Sequence, residues 1–214
     1  MQADERLPFT AIFPPDAKMP AFNLSVANPY RSWRYEYKFE WRGAEGYGGE
    51  HDDTYQYGMP YATGTSHRVV QAFNGKFSHQ GKNAIDWGMS EGTHIHAARE
   101  GLVIYVEASN NKGGPEEKFR EFVNYILIRH PDGTIGGYYH LQQNGNAVQI
   151  GDRVARGQLI GYSGSTGYAS GPHLHFEVYY RNKKVDKRTI PIRFDNGQAS
   201  GILLQEGTRY RASN

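Results

Sequence analysis

The chain has 214 residues, enough for one domain with or without a small appendage, and enough to bury roughly two-thirds of the surface its unfolded form exposes. Lys and Arg total 24 against 22 Asp and Glu, a net charge of +2 that is too balanced for the clustered basic surface of a nucleic-acid binder. The absence of cysteine excludes a disulfide framework, Cys-ligated zinc, iron–sulfur clusters and thiol chemistry, and no apolar run is long enough for a membrane-spanning helix.

Glycine occurs 26 times and tyrosine 16 times, a composition of short strands joined by tight turns rather than of long helices. The N-terminal nine residues lack an apolar signal core. Phe22, Leu24 and Val26 alternate with polar residues. After a turn signal at Asn28-Pro29, Trp33, Tyr35, Tyr37, Phe39 and Trp41 alternate with Arg34, Glu36, Lys38 and Glu40. A period of two predicts an antiparallel pair of strands, its aromatic face turned inward. The aromatic stripe reads as core; if exposed, its rings suit stacking on sugars. From Arg42 to Gly64 the chain is rich in Gly, Asp and Tyr and reads as a long connection, with a soft boundary near Met59-Pro60.

Ten strand candidates follow: residues 68–72, 84–87, 93–97, 101–107, 124–129, 136–140, 153–155, 158–162, 173–180 and 190–194. One short helix is expected at 115–122, where Pro115 opens the segment and Glu116 and Glu117 fill its first turn. The fold class read from this pattern is all-β, mainly an antiparallel sheet with a substrate groove. Residues 1–60 form a β-rich extension and residues 61–214 the main domain.

The candidate chemistry lies among nine histidines. In Gly171-Pro-His-Leu-His-Phe-Glu-Val178, a strand places His173, His175 and Glu177 on one face and Leu174, Phe176 and Val178 on the other. Two imidazoles and a carboxylate on one face are costly to bury without partners. His79 stands in a loop before a short strand that holds Asp86, and imidazole nitrogen and carboxylate oxygen are both zinc ligands. His140 ends Tyr138-Tyr-His-Leu141. His94 and His96 share a strand face just as His173 and His175 do, so spacing alone does not separate the two pairs; His94, His96 and His51 are read as solvated surface. His67 and His130 show no partner in the sequence.

Taken together these segments resemble the lysostaphin-like zinc metallopeptidases of the M23 family. The resemblance rests on His79 with Asp86, Tyr138-Tyr-His-Leu141 and Gly171-Pro-His-Leu-His-Phe-Glu177 in the family's order, with Gly157-Gln-Leu-Ile-Gly161 and Gly164-Ser-Thr-Gly167 between them. It covers residues 78–180, nearly half the chain. One departure is a spacer of six residues between His79 and Asp86, longer than in the best-known members. The resemblance implies one zinc ion per chain held by His79, Asp86 and His175, with His140 and His173 as uncoordinated catalytic histidines. It also assigns His94 and His96 to a structural strand.

Three protein ligands leave a fourth zinc position for water, which is the layout of a catalytic rather than a structural site. A neighbouring imidazole can take a proton from that water, and a second can stabilise the oxyanion. Glu177 is a candidate orienter of the ligands. No His-Glu-x-x-His helix is present.

The resemblance therefore implies a zinc endopeptidase that hydrolyses peptide bonds of bacterial peptidoglycan, either D-Ala cross-links or oligoglycine. The expected form is a periplasmic or secreted monomer with its signal peptide removed. Alternatives are a non-catalytic scaffold that regulates other cell-wall hydrolases, disfavoured because all five site positions are filled, and a secreted protease acting on Gly-rich proteins.

Overall fold

A computed structural model of the chain describes residues 51–181, 187–197 and 199–213, together with the strand backbone of Gln2–Ala3 and Leu24–Ser25. The chain divides into two compact units, Met1–Ala44 and Glu45–Asn214. In the first, Gln2–Ala3 pairs antiparallel with Leu24–Ser25. The Trp33–Trp41 stripe lies outside the described residues.

The second unit is built on a nine-stranded sheet. In chain order its strands are β1 (Ser66–Gln71), β2 (Ala84–Gly88), β3 (Gly101–Glu107), β4 (Tyr125–Arg129), β5 (Ile135–Tyr139), β6 (Arg153–Val154), β7 (His173–Arg181), β8 (Lys187–Thr189) and β9 (Arg209–Arg211). They lie side by side in the order β6-β3-β4-β5-β7-β2-β1-β9, with β8 paired to the C-terminal end of β7. Every pair in this sheet is antiparallel. A smaller sheet joins Leu141–Asn146, Leu159–Ser163 and His94–His96. The only helix among the described residues is a 3-10 segment at Glu117–Phe122 with no buried residue, so the all-β reading is borne out.

Alternation along β7 sorts its two faces. Leu174, Phe176 and Val178 are fully buried and meet Trp87, Tyr138 and Phe194 in the core. The Phe176 and Tyr138 rings lie 4.9 Å apart, and Trp87 meets Phe194 edge-on at 5.8 Å. Emptying such a site by Phe176→Ala costs about 3–5 kcal/mol. Tyr57, Met59 and Tyr61 are buried in the same core, and Gln56–Tyr57 pairs in parallel with Arg193–Phe194. The boundary expected near Met59-Pro60 thus falls inside the second unit. Only Arg193–Phe194 of the expected 190–194 strand is paired as a strand, because Pro191 has no N–H to give to a ladder.

Two loops close over the groove side of the sheet where Gly113–Gly114 pairs in parallel with Gly167–Tyr168. A Cβ at Gly113 would lie 1.8 Å from the Ser165 carbonyl oxygen, so only glycine lets the two backbones meet.

Candidate metal centre

Register brings the site together. Gln71 of β1 faces Asp86 of β2, Asp86 faces His175 of β7, His175 faces Tyr139 of β5, and Tyr139 faces Tyr125 of β4. Residues directly opposite in neighbouring strands project to the same face, so these five form one row across the sheet, opposite the core. His79 reaches the row from the loop between β1 and β2.

His79 Nε2, an Asp86 carboxylate oxygen and His175 Nδ1 converge. Nε2 of His79 lies 3.2 Å from His175 Nδ1 and 3.3 Å from Asp86 Oδ2, and His175 Nδ1 lies 2.8 Å from Asp86 Oδ1. Ligands bound to one tetrahedral zinc at about 2.0–2.2 Å stand about 3.3–3.5 Å apart, so this donor set already has nearly the spacing of a coordination shell. His79 and Asp86 are buried and His175 half-buried. It is the only such cluster among the described residues, which separates it from the His94–His96 pair.

The surrounding groups fix which ring atoms face the centre. His79 Nδ1–H donates to the Ala72 carbonyl at 3.1 Å, which leaves Nε2 with its lone pair toward the cluster. Glu177 Oε2 lies 3.8 Å from His175 Nε2 and leaves Nδ1 for the same purpose. Glu177 is itself buried and paired with Lys187, whose ammonium also donates to the Tyr139 hydroxyl at 3.3 Å. Burial favours the neutral acid of Glu177, but its hydrogen bond to His175 and the charges of His175 and Lys187 hold its carboxyl down at about 2. Asp86 is likewise held far below the usual carboxylate range, its bonds to His175 and His79 outweighing burial. With two carboxylates facing it, His175 is pushed up to about 9 despite burial.

His140 and His173 stand beside the cluster with ring centroids 4.4 Å apart. His140 follows the last residue of β5 and has a φ of +63°, a left-handed conformation rare in non-glycine residues. That turn carries the chain out of the large sheet into Leu141–Asn146 and leaves the imidazole in the groove. Its Nδ1–H donates to the Thr166 carbonyl at 2.7 Å, and His173 Nδ1–H donates to the Gly171 carbonyl at 2.9 Å, so each ring presents a free Nε2. Burial, with the charges of His173 and His175 beside it, lowers His140 to about 3, so its ring is neutral.

Asp86, His140, His173 and His175 therefore line one groove, and the buried His79 meets Asp86 and His175 there. Sequence reasoning missed Gln71, whose polar character inside an otherwise apolar strand end was the available signal, and Lys187. The remaining histidines lie elsewhere. His94 is exposed and edge-on to Tyr162, while His96 is half-buried with Nδ1 on the Gly157 carbonyl. The His51 side chain is 8% exposed rather than solvated, and its Nδ1 meets Asp53 at 3.0 Å. His67 is edge-on to Tyr61, and His130 donates to the Glu100 carbonyl.

Two imidazoles and one carboxylate, with one side open to a groove and two further imidazoles at hand, are a donor set that could hold one metal ion, in the layout of a hydrolytic centre. Comparison with known proteins narrows that class. Residues 77–187 match Peptidase family M23, and the chain belongs to that family of zinc metallopeptidases. It is 34% identical over 132 residues to peptidoglycan DD-endopeptidase ShyA of Vibrio cholerae, a match covering 61% of this chain and 26% of that protein. It is 38% identical over 94 residues to glycyl-glycine endopeptidase ALE-1 of Staphylococcus capitis, covering 44% of this chain and 23% of that one. The matched region thus spans about a quarter of these relatives. Among solved structures, a zinc-containing peptidase from Vibrio cholerae is 27% identical with a TM-score of 0.45, over 63% of this chain and 39% of that one.

Proposed function

We propose that this chain is a zinc-dependent endopeptidase that cleaves peptide bonds of bacterial peptidoglycan outside the cytoplasm. The observation that carries the reading is the convergence of His79 Nε2, the Asp86 carboxylate and His175 Nδ1 at coordination spacing beside His140 and His173. His79, Asp86 and His175 would hold one zinc ion. When bound, that ion supplies Lewis-acid polarisation of the peptide carbonyl and a water acidic enough to attack at neutral pH.

The protein's own groups do the rest. The neutral His140 offers Nε2 as a proton acceptor, its other nitrogen committed to Thr166, and can return the proton to the leaving amine. His173, held by Gly171, stands beside His140 as the second imidazole, placed to stabilise the developing oxyanion. Glu177 and Lys187 orient His175, and Gln71 orients Asp86. The peptidoglycan substrate and the location outside the cytoplasm are supported by the relatives, which include endopeptidases of that polymer. A non-catalytic scaffold is not favoured, since the ligand set and both free imidazoles are present together.

The test is digestion of isolated peptidoglycan sacculi, with and without a chelator, followed by mass spectrometry of what is released. Chelator-sensitive release of fragments cleaved in their peptides is expected. Intact sacculi after treatment with zinc-loaded protein would overturn the reading.

A further inference from the structure

The groove is divided at the metal cluster. Phe77, His140, Tyr168 and His175 border both parts, and the part that runs along residues 70–78 and 168–173 encloses about 830 Å³. Apart from the cluster itself, the charges lining that part are Lys76 and Glu206. Three large hydrophobic side chains are exposed among the described residues: Phe77 at 73%, Leu203 at 51% and Val70 at 47%. Two of the three, Phe77 and Val70, line this part of the groove. A single exposed apolar side chain is ordinary, but two in one cleft with a metal cluster form a surface that a ligand can cover.

A separate device holds each of them there. Val69 faces Trp87 and Gln71 faces Asp86, so Val70 is the extra residue of a β-bulge in β1. A bulge sets two residues against one on the partner strand, and beside an active site it re-aims a side chain. Val70 is aimed over Gly88, which directly faces His173 in the sheet. A Cβ at Gly88 would lie 3.0 Å from Val70 Cγ1, so the glycine leaves the space that Val70 takes. Phe77 lies in the loop that delivers His79, and its N–H donates to Gln71 Oε1 at 3.0 Å. The side chain that follows Val70 and orients Asp86 thus also fixes the backbone of Phe77.

We infer that Val70 and Phe77 form an apolar subsite beside the metal centre, and that they select an aliphatic side chain on a substrate residue flanking the cleaved bond. The inference rests on the proposed peptidase function and deepens it. A glycine at that position leaves both side chains in water, whereas a fully buried methylene is worth about fourfold in affinity.

The experiment uses the full zinc-loaded chain and synthetic peptides that span a cell-wall cross-link. The residue on one side of the cross-link amide, then on the other, is varied through alanine, 2-aminobutyrate and norvaline, which lengthens the side chain without adding charge. On one side kcat/KM is expected to rise about two- to fourfold per added methylene. The rise persists at about 0.5 M salt, where ionic contacts are screened. Val70→Thr keeps the branched shape and Phe77→Ser removes the ring; each is expected to flatten the rise, and the double variant to abolish it. Elemental analysis should find one zinc in each variant, and Val70→Thr, outside the His79 loop, decides the matter if Phe77→Ser loses its zinc. A flat series on both sides in the wild type, or a wild-type rise kept in the double variant, overturns the inference. If no peptide is cleaved, the proposed function fails on its own, and calorimetric binding of the same series to the zinc-loaded chain still reads the subsite. Affinity that climbs with side-chain length then supports it, and equal affinity overturns it.

Discussion

Gln71 and Asp86 face each other across β1 and β2, and the Gln71 side-chain amide donates to Asp86 Oδ2 at 2.9 Å. The same side chain donates to Ser78 Oγ at 2.8 Å, and its carbonyl oxygen accepts from the N–H groups of Phe77 and Ser78 at 3.0 and 2.9 Å. One buried amide thus fixes a carboxylate ligand and also the loop that delivers His79, so its effect is transmitted through the ligands. Gln71→Leu is expected to weaken zinc binding about 10–100-fold, the range for groups that orient metal ligands. Competition with a chromophoric chelator measures this directly. Unchanged affinity in a folded variant would show that the loop holds its position without Gln71.

The ligands and the two free imidazoles are expected to separate cleanly when substituted. His79→Ala, Asp86→Ala and His175→Ala should each leave the purified protein without stoichiometric zinc. His140→Ala and His173→Ala should keep one zinc and lose roughly 10²–10⁴-fold in cleavage rate, the usual contribution of a positioned acid or base. Elemental analysis alongside sacculus digestion distinguishes the groups. A zinc-free His140→Ala would mean that His140 is a ligand.

Stability should fall with acid through a residue far from the metal cluster. His130 is buried, and burial, aided by the neighbouring Arg99 charge, lowers its pKa from the ordinary 6.5 to about 4. A group lowered on folding stays neutral in the native state while the unfolded chain takes up a proton below 6.5. The stability it contributes is therefore complete above pH 6.5 and is lost as pH falls toward 4, roughly 3 kcal/mol in all. His130→Gln keeps an N–H for the Glu100 carbonyl and removes the titration. The stability advantage of wild type over this variant, from urea unfolding with chelator present, should shrink by about that amount between pH 7 and pH 4. An advantage independent of pH would contradict it.

The sequence made the apolar elements legible and left the polar ones obscure. β3, β7 and the segment around Tyr125–Arg129 carry enough apolar alternation or β-branched residues to be read nearly to their ends. Leu141–Asn146 and Lys187–Thr189 are strands made almost wholly of polar residues, held by neighbours rather than by a buried face, and no periodicity announces them. The expected helix at 115–122 shortens to a 3-10 turn with nothing buried, because two Phe rings are too little apolar surface to hold a full α-helix against the sheet.

The site shows the same division. His79, Asp86, His140, His173 and His175 stood out because the resemblance fixed their order, whereas their chemistry depends on register. Asp86 and His175 are 89 positions apart in sequence and directly opposite in the sheet. Gln71 joins them through the same register, so its polar character at the strand end became meaningful only once Asp86 stood opposite it. The left-handed turn at His140 is equally silent in the sequence, since it arises from the switch between two sheets rather than from a turn residue.

The central claim is that three residues from one sheet and one loop gather a single metal ion. Crystallography of the zinc-loaded protein, with anomalous data collected at the zinc edge, tests it most directly. The expected result is one strong peak per chain, about 2.0–2.2 Å from His79 Nε2, an Asp86 oxygen and His175 Nδ1, with His140 and His173 unbound. A principal peak at His94 and His96, or no peak between His79, Asp86 and His175 at saturating zinc, would contradict the account.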